Sequence, residues 1–197
     1  MSKPFLISLW LVIALYGSCA LLSEDTRIRH YRTAGEDAVV HGNYAEAEKQ
    51  YKAALDLANK SPDKSNLVLV QGDLGKLYSI QNRDSEAEPL FRQRVTVGNE
   101  IWSNDSARLS QLYYDLALFY LTKRRYEQGK PIFDQLLSLR ERAFGTDAPQ
   151  VADTLELFAQ LFRANGHEQD ALRMEERARD IRAKSHSTRE WQDGEWN

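Results

Sequence analysis

Four histidines and one cysteine are the side chains of this 197-residue chain best suited to ligating a metal or attacking a substrate: His30, His41, His167, His186 and Cys19. A helical zinc site pairs two histidines four residues apart with a glutamate between them, and no two of these have that spacing. One cysteine alone excludes an internal disulfide framework and a thiolate metal site built by one chain. No Gly-x-Ser-x-Gly elbow, Walker-type glycine loop or dinucleotide fingerprint is present. His167 falls in a turn and reads as a solvent-exposed turn residue, while the many Ser and Asp residues read as helix caps and helix surface. The expectation is a chain with no catalytic residue, no metal and no cofactor: a protein that is not an enzyme.

Stepping from side chains to backbone, composition says which elements would carry them. Charged residues are 28% and hydrophobic ones 42%, the balance of a folded and not a disordered chain. Only five Pro and ten Gly interrupt a sequence rich in Ala, Leu, Glu, Gln, Lys and Arg, which favours helices. A formal net charge of −3 offers no basic face for nucleic acid, so no nucleic-acid partner is expected.

The start of the chain is different. Lys3 precedes the apolar run 5–22, after which come Ser23, Glu24 and Asp25. A short basic start, an apolar stretch and small residues make a signal-peptide or membrane-anchor pattern. Three readings stand. Cleavage after Ala20, with Ser18 and Ala20 as the small residues, releases an exported domain. Cys19 in the run Tyr16-Gly17-Ser18-Cys19 is a lipidation site resembling a lipobox, from which Tyr16 departs. Retention leaves an anchor of roughly 27 Å, barely enough for a hydrocarbon core of about 30 Å. Arg27, Arg29 and Arg32 beyond the run would then hold the remainder on the cytoplasmic side. The acidic flank and short basic start favour export, periplasmic, secreted or membrane-anchored at the cell envelope.

Beyond residue 25 the chain repeats itself. Turn-like stretches begin at Gly42, Asn82, Arg124 and Gly166, about 42 residues apart. Upstream of each stand the pairs Ala34-Gly35, Leu74-Gly75, Leu116-Ala117 and Phe158-Ala159, then Ala38, Tyr78, Tyr120 and Phe162. Downstream stand Tyr51, Phe91, Phe133 and, breaking the rule, Glu175. A small residue where two helices cross lets their backbones approach, and the neighbouring aromatic fills the space beside it. Helices are expected over 27–41, 44–59, 65–81, 84–101, 106–123, 126–143, 148–165 and 168–184. Isolated helices of this length are marginal in water, so each hairpin needs its neighbour to close over its apolar face. The expected fold class is all-α, a right-handed α-solenoid of about four helical hairpins (eight helices) over 26–184, behind the leader 1–22. The terminal helix is rich in Glu and Arg because nothing follows to cover it. The tail 185–197, with Trp191 and Trp196, has no helical period and reads as disordered.

The spacing Leu-Gly/Ala-x-x-Tyr, then Gly-x-Tyr-x-x-Ala, then an aromatic resembles the tetratricopeptide repeat. The run Leu116-Ala117-Leu118-Phe119-Tyr120 through Phe133, and Gly145-Thr146-Asp147-Ala148-Pro149 opening the next unit, resemble the longer repeat subclass of kinesin light chains. The resemblance covers about residues 28–184 and is weaker in repeats two and four, where Asp84, Glu168 and Glu175 replace hydrophobic residues.

That resemblance implies a binding groove lined by the first helix of each hairpin. It would receive Arg29, Arg32 and Glu36 from repeat one, Leu69, Asp73, Lys76 and Ile80 from repeat two, Gln111, Tyr114, Asp115 and Leu118 from repeat three, and Asp153, Glu156, Gln160 and Arg163 from repeat four. Glu36, Asp73 and Asp115 stand at the counterpart places of the carboxylate clamp of chaperone-binding members, which needs Lys and Asn in the first helix and cations in the third, and this argues against capture of an acidic C-terminal tail. The implied guest is a peptide or partner protein of mixed charge, anchored by Tyr114 and oriented by Arg29 and Arg32. The function expected is a non-catalytic interaction scaffold, exported or membrane-anchored. A self-associating structural module, forming oligomers, and a regulatory accessory subunit of an envelope complex are its rivals.

Overall fold

The computed structural model describes the backbone of residues 23–194 and the side chains of residues 23–185. The apolar leader, Cys19 and Trp196 lie outside the described residues, and so does the Trp191 side chain. Among the described residues, no helix is long and apolar enough to cross a membrane.

Among the described residues eight helices follow one another: α1 Glu24–Val40, α2 Tyr44–Lys60, α3 Lys64–Ile80, α4 Asp84–Ile101, α5 Ser106–Thr122, α6 Tyr126–Phe144, α7 Pro149–Ala164 and α8 Glu168–Gly194. Each expected helix is present. The last continues to Gly194, past the expected end at 184, so a helix replaces the disordered tail over most of its length. No proline follows Pro149, and Lys184, Arg189, Glu190 and Gln192 are tolerant of helix, so nothing local stops it.

Turn chemistry explains why the hairpins recur. At all four turns the residue in the left-handed region is the one that begins the repeated stretch: Gly42 (φ 71°), Asn82 (57°), Arg124 (60°) and Gly166 (87°). The same pair of hydrogen bonds closes each. The residue after it donates its N–H to Ala38 O (2.8 Å), Tyr78 O (2.9 Å), Tyr120 O (2.9 Å) or Phe162 O (3.0 Å). The left-handed residue itself donates to Val39, Ser79, Leu121 or Arg163. This is the Schellman termination, which satisfies carbonyls a helix end would otherwise orphan. Helix starts are capped in turn by Ser23, Asn43 and Asp105, and Pro149 opens α7.

The chain divides into two compact units, Met1–Leu77 and Tyr78–Asn197, with the boundary inside α3. In the first, α1 and α2 pack as a hairpin. Gly35 lies against the ring of buried Tyr51, so close that a Cβ there would collide with it. This is the small-residue crossing expected from the pair Ala34-Gly35. Burial pushes the Tyr51 hydroxyl up to about 12.

In the second unit, Ala117, Leu121, Phe133, Leu136, Val151, Leu155, Phe158, Phe162, Ala171 and Ile181 form one continuous core. The rings of Phe133, Phe158 and Phe162 pack at 4.8–5.2 Å. Fully burying each contributes roughly 1.5–3 kcal/mol. Successive turns are also stapled to one another. The Lys123 ammonium donates to Ser79 O and Asn82 Oδ1 (3.3 and 2.9 Å) and pairs with Asp84 (2.9 Å). One repeat later, Asn165 Nδ2 donates to Leu121 O (2.9 Å). Each of these side chains caps the end of the first helix in the hairpin before it. His167 is not the exposed turn residue expected: it is half-buried and stacked on Tyr126 at an interplanar angle of 9°.

Candidate functional site

Within the first unit, α1 and α3 bring predicted groove residues together, but onto each other. Arg32 Nε donates to Asp73 Oδ2 at 2.6 Å, both side chains under one-fifth exposed, and Arg32 lies 3.6 Å from Glu36. Of the two arginines expected to orient a guest, Arg32 is thus committed to a neighbouring carboxylate and Arg29 is exposed. Glu36 and Lys76 are exposed on the same two helices.

In the second unit the first helices α5 and α7 touch through Tyr114 and Phe158, whose rings meet edge to face at 5.6 Å. Tyr114 is half-buried. Gln111 and Gln160 are exposed, and Leu157 is 36% exposed. Asp115, expected in the groove, is instead 6% exposed and bonded to the Arg94 guanidinium of α4. Gln111 Nε2 reaches the other Asp115 oxygen at 3.4 Å. Arg163 also leaves the groove. It forks onto Glu168 and Glu175 of α8 at 2.8–3.1 Å, which holds the Glu175 carboxyl below its usual range. Its position three before Gly166 matches Leu121, which points into the core, so it never shared a column with Gln160.

Three arginines that shape this surface were not expected from sequence. Arg94 occupies the column held elsewhere by Ala54, Leu136 and Ala178, all buried. A cation in an otherwise apolar column was its sequence signal. Arg140 and Arg182 occupy a second shared column, where Ala58 and Gly98 stand in the earlier repeats. Arg182 donates to both oxygens of Glu156 (2.7 Å each) and to Asp153 (2.8 Å). Those bonds hold the Glu156 carboxyl below its usual range. Arg140 Nη1 donates to Gln150 O (3.2 Å) and to Thr154 Oγ1, and its guanidinium lies 5.3 Å from the centre of the Tyr114 ring. Burial lowers its pKa.

What this surface can do is bind. Among the described residues, no three His, Cys, Asp or Glu side chains converge to hold a metal ion. In the second unit the first helices carry the amides of Gln111 and Gln160, the half-buried Tyr114 ring and the exposed Leu157, residue types that can hold polypeptide.

The comparisons with known proteins agree with this architecture. The family model of the tetratricopeptide repeat matches residues 28–99 and 108–184. The putative kinesin light chain of Podosopora anserina with nearly identical TPR-like repeats is a structural neighbour at TM-score 0.72 and 20% identity, covering 90% of this chain and 85% of that one. BtubC (BKLC) from P. vanneervenii superposes at TM-score 0.70 and 18% identity, covering 83% of this chain and 66% of that one. MamA follows at TM-score 0.58 and 13% identity, with 81% of each chain covered. At such identities the likeness shows the fold, an all-α solenoid class of helical hairpins. No curated protein matches the sequence.

Proposed function

We propose a function from one established premise: the chain belongs to the tetratricopeptide repeat family. It is a non-catalytic scaffold that holds a partner polypeptide against the first helices of its hairpins. The observation that carries this is the pair of first helices α5 and α7, in contact through Tyr114 and Phe158, on which Gln111, Leu157 and Gln160 are exposed. An exposed leucine flanked by amides and a half-buried ring gives apolar area for affinity and hydrogen-bonding groups for a guest's backbone.

The outer face of α8 disfavours end-to-end self-association, since Arg173, Glu176, Arg179 and Asp180 are exposed along it. The apolar run 5–22 tethers or exports the scaffold at the cell envelope; its support is the basic-then-apolar pattern, and mass measurement of the mature N-terminus tests it.

The function is tested by affinity purification of the full-length protein with quantification of co-purifying proteins. Leu157→Asp is expected to lose the partner that wild type retains, while Leu172→Asp on α8 keeps it. Retention by Leu157→Asp with loss by Leu172→Asp would move the binding face to the second helices and overturn the reading.

A further inference from the structure

The second unit contains the same arginine twice, in different surroundings. Arg140 and Arg182 are separated by one repeat, as are Tyr114 and Glu156, and Gln111 and Asp153. In the fourth hairpin the arginine is saturated: Glu156 takes Nε and Nη2, and Asp153 takes Nη2. In the third, a ring and an amide stand where those two carboxylates would be. Arg140 has no ion pair among the described residues, and its Nε is buried without a hydrogen-bond partner. The nearest charge that acts on it is Asp153, whose carboxylate is already bonded to Arg182.

We infer that Arg140, with the Tyr114 ring beside it, is the receptor for a carboxylate of the bound polypeptide. The guest supplies in trans what Glu156 supplies to Arg182 in cis. The chemistry favours it on three counts. A half-buried guanidinium without an anion is the costliest group on this surface to leave unmatched. A guanidinium makes a strong charge-assisted hydrogen bond to a carboxylate. Stacking against the Tyr114 ring fixes its plane before the guest arrives. Arg140 also tethers α6 to α7 through Nη1, and its Nε is closed off from solvent, so Nη2 is the nitrogen that meets the guest.

This inference rests on the scaffold reading, and the two can fail separately. The experiment selects binders to the full-length protein from two displayed libraries of random peptides, one with internal sequences only and one with a free C-terminus. Wild type is expected to enrich Asp or Glu at one register position in the first library if a side chain is the ligand. Enrichment in the second library alone would make the ligand a C-terminal carboxylate. Arg140→Met is expected to abolish that acidic preference while retaining the rest of the selected pattern, weakening the best acidic peptide about tenfold or more. Gln111→Asp leaves Arg140 in place and gives it an internal carboxylate, on the plan of Asp153 and Arg182. It is expected to suppress the same preference, which a merely structural role for Arg140 would not produce. Peptides that depend on Leu157 but show no acidic preference, or an acidic preference that survives both variants, overturn the inference and leave the scaffold standing. Failure to select any Leu157-dependent peptide overturns both.

Discussion

Hairpins α5–α6 and α7–α8 are built on one spacing, yet they differ in how their polar groups are satisfied. The fourth hairpin meets most of its charges internally, Arg182 on Glu156 and Asp153, Lys184 on Asp147, Arg163 on Glu168 and Glu175, while Arg177 on Glu141 and Asn165 on Leu121 O reach back to the third. The third looks outward. It pairs Asp115 with Arg94 of α4, donates Lys123 to the preceding turn, and leaves Arg140 on a tyrosine ring. The fourth hairpin neutralises charge on its own two helices, whereas the third meets Asp115 with an arginine of the hairpin before it. Small sequence differences between repeats therefore decide whether a charge is met within its own hairpin or by a neighbour.

The sharpest way to break that difference is to remove the shared buried pair. Asp115→Ala strands the Arg94 guanidinium in the core, and should cost about 3–5 kcal/mol in urea unfolding. The matched double variant Arg94→Met with Asp115→Leu should recover most of it, because two apolar groups need no partner. A loss under about 1 kcal/mol for the single variant would mean that water reaches Arg94 and the pair is not buried.

Next in size is the small residue of α6. Ala47, Ala87 and Ala171 are buried at the position where the third hairpin has Gly129. A Cβ on Gly129 would lie 2.7 Å from Leu121 Cγ and 3.2 Å from Tyr120 Cβ, so the residue the other repeats prefer does not fit here. Gly129→Ala should destabilise by about 1–3 kcal/mol in spite of alanine's better helix propensity. Adding Leu121→Val should relieve part of the cost. A stabilising Gly129→Ala would show that Leu121 moves aside freely.

A smaller effect of opposite sign is expected at the turn. Arg124 holds φ of 60° where the fourth hairpin has Gly166. Left-handed backbone costs a residue with a Cβ about 1 kcal/mol, partly offset by the greater unfolded-state entropy of glycine. Arg124→Gly should therefore raise the thermal midpoint slightly, whereas Gly166→Arg should lower it.

The smallest effect is electrostatic. Arg182 keeps Glu156 ionised to lower pH than an ordinary glutamate. A depressed folded-state pKa gives stability that is complete above the ordinary carboxylate value and lost as pH falls through the folded one. Arg182→Ala should lower stability slightly near neutral pH, where the paired carboxylate contributes in full, leave it unchanged in strong acid, and so flatten the decline between the two. An equal decline in both proteins would assign the acid sensitivity to other carboxylates.

Most of the fold was legible because its punctuation is local. Gly42, Asn82 and Gly166 announce left-handed turns by residue type, and the aromatic residues around them repeat in register. The groove was less legible because exposure depends on partners from other helices. Asp115 reads as a surface acid until Arg94 is placed beneath it, and Arg32 as a free cation until Asp73 meets it. Arg163 reads as a groove residue until α8 packs and supplies Glu175. Arg140 acquires meaning only beside Arg182, a comparison that requires both hairpins to be folded.

Site-specific photo-crosslinking of the full-length protein in its native cells tests the central claim most directly. A photoreactive residue at Leu118 or Gln160, on the first helices, is expected to form an adduct with one discrete partner protein, and the same group at Glu176 on the outer face is not. Adducts from Glu176 alone, or only between two copies of this chain, would contradict a guest held by the first helices.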